Sequence, residues 1–314
     1  MKKVAIGKVA VKTTNGIINI IVLTAIILVI AYACYALWDS NQIYQAADKS
    51  QYEVYKPTEV DEGRSFKELQ SLNAEVISWL SVHGTNIDYP VTQGQDNMKY
   101  VNTDAEGLYS LSGSIFLDYK NSKVFSDFNS ILYGHHMEKK TMFGELGTFS
   151  DIDVFNSNLY GNLYFDGKDH GIEFFAFLHT DAYDNSVFKA NVVGEDMRQE
   201  YLDNLFSKAL HKRDIGVTIQ DRIVLLSTCS TSSTNGRDIL IGRISGEAYE
   251  APAMTVQGDN MNEEPDNEVV ECRVTEVPLW AVLLLLASIS LLFVFATRLA
   301  MDRNNARKKT TSGA

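Results

Sequence analysis

Cys229 closes the apolar run Arg222-Ile223-Val224-Leu225-Leu226-Ser227-Thr228-Cys229, and Arg237 opens the next, Arg237-Asp238-Ile239-Leu240-Ile241-Gly242-Arg243-Ile244. Residues 230–236 between them are polar and turn-rich and end in Asn235-Gly236. Two strand-like runs joined by such a loop predict an antiparallel hairpin, with the thiol and the guanidinium facing each other near its mouth. Directly opposed residues in such a pair have β-carbons roughly 5 Å apart, within reach of a long arginine side chain. A thiolate beside a fixed cation is a strong nucleophile at neutral pH. The missing base has a candidate in Ile131-Leu132-Tyr133-Gly134-His135-His136-Met137, again at the end of a short apolar run.

The ends of the chain give this constellation its setting. Residues 17–38 are apolar apart from Asn19 and Thr24 and follow Lys2, Lys3, Lys8 and Lys12, with no acid before them. That is long enough to cross a bilayer core and longer than the apolar part of a cleavable signal. Residues 279–297 form a second apolar run, followed by Arg298, Arg303, Arg307, Lys308 and Lys309. By the positive-inside rule both termini are cytoplasmic and everything between lies outside the cell. The tails hold nine of the 28 basic residues and only Asp302 of the 40 acids, so residues 39–278 carry a net charge of −20. Such a surface excludes nucleic acid as a partner. Ala31-Tyr32-Ala33 before Cys34 resembles a cleavage or lipidation site, but Ala31 stands where a lipoprotein signal has a large aliphatic residue. No Leu-Pro-x-Thr-Gly-like motif precedes the second run, which reads Val274-Thr275-Glu276-Val277-Pro278-Leu279, so it is expected to be a plain membrane anchor.

Between the anchors the composition predicts a stalk at 39–65, a folded domain at 66–250 and an acidic tether at 251–278, with tails at 1–16 and 298–314. The tether has too few large apolar residues to fold alone. The domain is expected to stand by itself, without packing against either linker. Phe66, Leu69, Leu72, Val76 and Leu80 recur near a 3.6 period and predict one or two amphipathic helices. From Ile87 onward, short runs rich in Ile, Val, Phe and Tyr alternate with Gly, Asn and Asp clusters, which fits a closed or nearly closed β-barrel. One helix, about residues 195–210, interrupts the strands. Cys34 lies in the first span and Cys272 in the tether, leaving Cys229 alone in the domain. It is therefore an inert buried residue or a reactive thiol. No phosphate-binding glycine loop and no zinc-ligand spacing occurs. Asp151, Asp153 and Asn156 fit turn caps better than a calcium site.

Leu226-Ser227-Thr228-Cys229 with an Arg heading the next strand, and Tyr133-Gly134-His135-His136-Met137 upstream, resemble the sortases, membrane-anchored cysteine transpeptidases of Gram-positive bacteria. Asn86-Ile87-Asp88-Tyr89-Pro90-Val91, Gly113-Ser114-Ile115-Phe116-Leu117-Asp118-Tyr119 and Met142-Phe143-Gly144-Glu145-Leu146 are similar to class B in particular. The resemblance covers about residues 66–245. It implies a mostly β fold: a barrel of about eight strands with N-terminal helices and one helix inserted before the Cys strand, here flanked by two transmembrane helices. It places the nucleophile on Cys229, the base on His135 directly after Gly134, and the conserved arginine on Arg237. His136 is then a packing or hydrogen-bonding neighbour, and Arg243 is the fallback cation. Asp118 and Asp127 are expected to be turn or surface residues, since the family needs no third acid.

The resemblance further implies no cofactor and no metal. The substrate would be a secreted protein with a C-terminal Leu-Pro-x-Thr-Gly-like sorting signal. It would be cleaved through a thioester and passed to an amine, either a cell-wall cross-bridge or a pilin lysine. The second span favours pilus assembly. A cysteine peptidase or amidase that transfers to water, or an idle surface scaffold, would use the same fold.

Overall fold

The computed structural model describes residues 2–58, 63–229 and 235–250. Helix α1, Lys2–Ala46, contains the first apolar run and is long and apolar enough to cross a membrane. The second apolar run, the tether, Cys272 and residues 230–234 lie outside the described residues. Residues up to Asn41 belong to one unit and those from Gln42 to another, which carries the barrel.

Helix α2, Arg64–Leu72, buries Phe66 and Leu69 one turn apart and stops at Asn73, well short of the predicted helical stretch. Asn73 leaves helical geometry at φ −138°, ψ 102°. Its side chain accepts from the Glu75 amide and donates to the Tyr100 hydroxyl and the Ala105 carbonyl. An asparagine that satisfies neighbouring backbone in this way competes with the helix. The following Val76–Val82 becomes strand β1, so Val76 and Leu80 are strand residues; tertiary pairing overrides the 3.6 periodicity.

The remaining strands are β2 (Asp88–Thr92), β3 (Ile115–Leu117), β4 (Asn129–Tyr133), β5 (Tyr160–Phe165), β6 (Lys168–Asp181), β7 (His211–Lys212), β8 (Arg222–Cys229) and β9 (Gly236–Ile244). Their order is β5-β1-β2-β3-β4-β8-β9-β6, and β6 pairs back to β5, closing an eight-stranded barrel with β7 attached outside β6. The pairs β2–β3 and β4–β8 are parallel and the other pairs are antiparallel. Strand β6 is long enough to pair with β9 along one edge and with β5 and then β7 along the other, and its pairing with β9 shifts register between Phe174 and Ala176.

Two cores explain why β8 and β9 read as continuous apolar runs. Val224, Leu226 and Leu240 point into the barrel, while Ile223, Leu225, Ile239 and Ile241 pack against α4 (Glu195–Lys208) through Tyr201, Leu202 and Leu205. A strand buried on both faces has no polar side to alternate. Short helix α3, Ile152–Ser157, is capped by Asp151, whose side chain accepts from the Asp153 amide, as turn-cap chemistry predicted.

The packed unit reaches further towards the N-terminus than residue 66. Ala47 and Tyr52, in the segment read as a stalk, are buried in the barrel core, and the Tyr89 hydroxyl donates to the Ala47 carbonyl. Emptying the Tyr52 site costs about 3 kcal/mol, the scale for removing a buried aromatic side chain. A soluble fragment of residues 42–250 should therefore melt about 6 °C or more above a fragment of residues 66–250. Equal melting temperatures in a thermal scan would show that residues 42–65 add no stability.

Candidate active site

The barrel brings the three candidate residues to one rim. In the parallel β4–β8 pair, Tyr133 lies opposite Ser227, and the Gly134 amide extends the ladder to the Ser227 carbonyl at 3.2 Å. His135 and Cys229 each follow that pair by two residues, so their backbones leave adjacent strands at the same end. On the other side of β8, Cys229 pairs in register with Arg237 of antiparallel β9. The hairpin geometry expected from the sequence is thus present in the backbone.

His135 is held by main chain. Its Nε2 lies 2.8 Å from the Val101 carbonyl. A carbonyl only accepts, so Nε2 carries the hydrogen in this contact, which does not use Nδ1. The carbonyl is presented by the short turn Lys99–Val101, against which Gly113 packs at φ +58°. A Cβ at Gly113 would lie 2.6 Å from the Val101 oxygen and 2.5 Å from the Tyr100 oxygen. Gly134 meets a second close approach, since a Cβ there would lie 2.7 Å from the Phe143 ring. The glycines next to these motifs are therefore steric requirements of the histidine's setting. His136 forms an isolated backbone bridge with Met142, and its Nδ1 is buried without a partner among the described residues.

Arg237 is half-buried and donates from Nη1 to the Gly236 carbonyl at 2.9 Å. No carboxylate among the described residues is in ion-pair range, so most of its donor fork is uncommitted. Arg243 differs. It is bound to Glu173 at 2.5 Å and lies six residues down β9, roughly 20 Å from the rim, which removes it as the alternative cation. The strand position beside Arg237 is anchored from the barrel interior: Asp238 is buried and its Oδ1 lies 2.6 Å from His179 Nδ1.

Tyr133 opens the histidine motif, and nothing in the sequence pattern marks its partners. Its hydroxyl donates to Asp118 Oδ2 at 3.1 Å, and its ring stacks on Phe188 and contacts Phe116. Burial pushes the phenol pKa far up and the neighbouring Asp118 charge adds to this, while Arg237 opposes it. The phenol therefore stays a neutral donor. Asp118 occupies the turn its residue type favours, accepting from the Lys120 amide, but it is buried and not a surface residue. Its second oxygen also accepts from Asn97 Nδ2 at 2.9 Å. Asp127 accepts from Asn121 and the Ser122 amide within a turn, as expected. The described residues contain no cluster of His, Cys, Asp and Glu that could hold a metal.

No family model matches the chain. A curated relative is nonetheless decisive: sortase B of Staphylococcus aureus (strain NCTC 8325 / PS 47) is 32% identical over 183 residues, which are 57% of this chain and 74% of the relative. The chain belongs to the class B sortases. Among solved structures, sortase B from the type II pilus of Streptococcus pneumoniae is 46% identical, with a TM-score of 0.51 over 57% of this chain and 98% of that one. A Streptococcus pyogenes class B sortase involved in pilus biogenesis is 39% identical, with a TM-score of 0.54 over 59% of this chain and all of that one.

Gly113→Ala tests whether this sortase needs the Val101 carbonyl where it is. The left-handed backbone and the close approach together cost about 1 to 3 kcal/mol, most simply relieved by moving the Lys99–Val101 turn away from His135. The expected outcome is a fall in kcat of about tenfold on a sorting-signal peptide, with KM changed less than twofold. Unchanged kcat would mean that His135 does not depend on this contact.

Proposed function

We propose that this chain is a membrane-anchored cysteine transpeptidase that joins secreted proteins bearing a C-terminal sorting signal to an amine, with Cys229, His135 and Arg237 as its reacting groups. The observation that carries the reading is the backbone register at the rim: Cys229 opposite Arg237, and His135 leaving the parallel neighbour strand level with Cys229. The membership in the sortase family supplies the reaction class.

In the first half-reaction the Cys229 thiolate attacks the carbonyl of the scissile peptide bond. Charge collects on that oxygen, where the guanidinium of Arg237 stabilises it. The carbon–nitrogen bond then breaks, protonated His135 gives its Nδ1 proton to the departing amine, and the acyl group remains as a thioester on Cys229. In the second half, neutral His135 takes a proton from the incoming amine as that amine attacks the thioester. The new amide forms, and the thiolate leaves. The Val101 carbonyl fixes the tautomer throughout, keeping Nδ1 as the exchanging nitrogen. Arginine suits the oxyanion better than lysine would, because its planar fork holds two donors in fixed geometry.

The apolar helix α1 fits a membrane anchor for an enzyme working outside the cell, with the N-terminal basic residues on the cytoplasmic side. The second expected span, residues 279–297, would place both termini in the cytoplasm. A lysine side chain of a pilin is the amine we favour over a cell-wall cross-bridge, because two of the similar solved structures are described as pilus sortases. No cofactor enters this scheme.

Substitutions separate the roles. Cys229→Ala should abolish both cleavage and transfer, and His135→Ala should be nearly as severe, while His136→Ala retains activity. Arg237→Lys should lower kcat/KM about 100-fold, the scale of losing one oxyanion donor, and leave alkylation of Cys229 at the wild-type rate. Turnover by Cys229→Ala would refute the assignment of the nucleophile. Equal losses of turnover and alkylation in Arg237→Lys would make the arginine a tuner of the thiolate instead. Product analysis with and without an added amine distinguishes transfer from hydrolysis.

A further inference from the structure

The loop that follows the histidine motif does not hold its own shape. Lys139, Lys140 and Met142 have φ values of +58°, +60° and +51°, three non-glycine residues in the left-handed region within four positions. Such a segment persists only where its surroundings determine it. Two of those surroundings come from the end of helix α1. At the surface, the Tyr44 hydroxyl donates to Glu138 Oε2 at 3.1 Å, and Lys139 Nζ lies 4.4 Å from the Tyr44 ring centre. In the core, the Tyr89 hydroxyl donates to the Ala47 carbonyl at 3.0 Å and accepts from the Met142 amide at 3.1 Å. Met142 in turn bridges to His136, and the Phe143 amide donates to the His135 carbonyl at 3.1 Å.

We infer that Tyr89 is a positioning residue whose phenol ties the juxtamembrane segment at Ala47 to the loop that holds His135, so that the acid–base group is set through the anchor-proximal end of the chain. The inference rests on His135 being the acid–base residue. The phenol suits the task because it is fully used. Its one hydrogen goes to Ala47, its oxygen accepts from Met142, and the ring is buried at 2% exposure. Burial also drives its pKa up to about 12, so it remains a donor at every pH at which the protein works. On strand β2, the neighbouring Asp88 is engaged by Lys56 and by the Trp79 indole, while Tyr89 links the strand to the loop through Met142. A phenylalanine would fill the same space yet break both contacts at once.

The test uses the full chain in detergent, with a sorting-signal peptide and an added amine. Tyr89→Phe should lower kcat about tenfold with KM within twofold, the scale of losing the hydrogen bonds at one buried hydroxyl. Amide hydrogen exchange should rise about tenfold at Met142 and Phe143 and stay unchanged in β4 and β8, with Cys229 alkylation at the wild-type rate. Unchanged exchange at Met142 and Phe143 overturns the inference, and so does unchanged kcat. A rise in exchange spread evenly over the barrel would also overturn it, by making Tyr89 an ordinary core residue. Should Tyr89→Phe fail to fold, Tyr44→Phe at the exposed end of the same connection carries the test. A twofold to threefold fall in kcat with faster exchange at residues 138–142 supports the link, and wild-type values overturn it. His135→Ala, measured in parallel, keeps the two claims apart. Activity in that variant would remove the acid–base assignment and leave the exchange result standing.

Discussion

The parallel pairing of β4 with β8 is the constraint on which the site depends. Antiparallel neighbours can be joined by a tight turn, whereas parallel ones need a long crossover. Here the crossover contains β5, β6, α3, β7 and α4, which are the elements that close the barrel and cover its outer face. Closing the barrel and aligning His135 with Cys229 therefore depend on the same stretch of chain. β9 then adds Arg237 by the cheapest available connection, a hairpin from the end of β8. Two groups thus meet through a long-range pairing and the third through a local one.

Electrostatics at the rim follow from how the charges are distributed behind it. Two acids close to the site in the fold are engaged by other groups: Asp118 by Tyr133 and Asn97, and Asp238 by His179. Arg237 is left without a carboxylate among the described residues. An arginine without an ion-pair partner, in a partly buried position, interacts more strongly with developing negative charge than one that must first leave an ion pair. Glu173 illustrates the alternative by pairing with Arg243, the other arginine of the same strand, far from the rim. The large net negative charge of residues 39–278 is therefore compatible with a locally cationic site.

Much of this was legible in the sequence, because the relevant signals were local. The runs ending in Cys229 and beginning at Arg237 fixed a hairpin, and the β-rich spacing fixed a barrel. What escaped was set by distant partners. The helix expected to run through Val76 breaks at Asn73, since its amide finds Tyr100 and Ala105 far along the chain. Tyr52 looked like a stalk residue, but it is buried in a core built from other elements. Gly113 was readable only as part of a motif; that it makes room for a carbonyl receiving His135 is a fact of tertiary contact. Tyr133 and Asp118 carried no periodic signal of their pairing. The turn residues between Cys229 and Arg237 lie outside the described residues.

The distribution of rigidity within the site has its own logic. Cys229 and Arg237 occupy ladder positions, where backbone pairing on neighbouring strands specifies them. His135 lies just past the end of β4, and the residues after it adopt backbone angles that their side chains disfavour. Local preference and global fold disagree there, which is where functional segments are expected to break the usual rules. The disagreement is resolved by contacts from outside the loop: a carbonyl from the Lys99–Val101 turn, a ring from Phe143 against Gly134, and a phenol from β2. Under the proposed mechanism, a histidine protonated in one half-reaction and neutral in the next gains from such a mounting. Its ring is held by a neutral backbone carbonyl, which keeps its hydrogen bond whichever charge the imidazole carries.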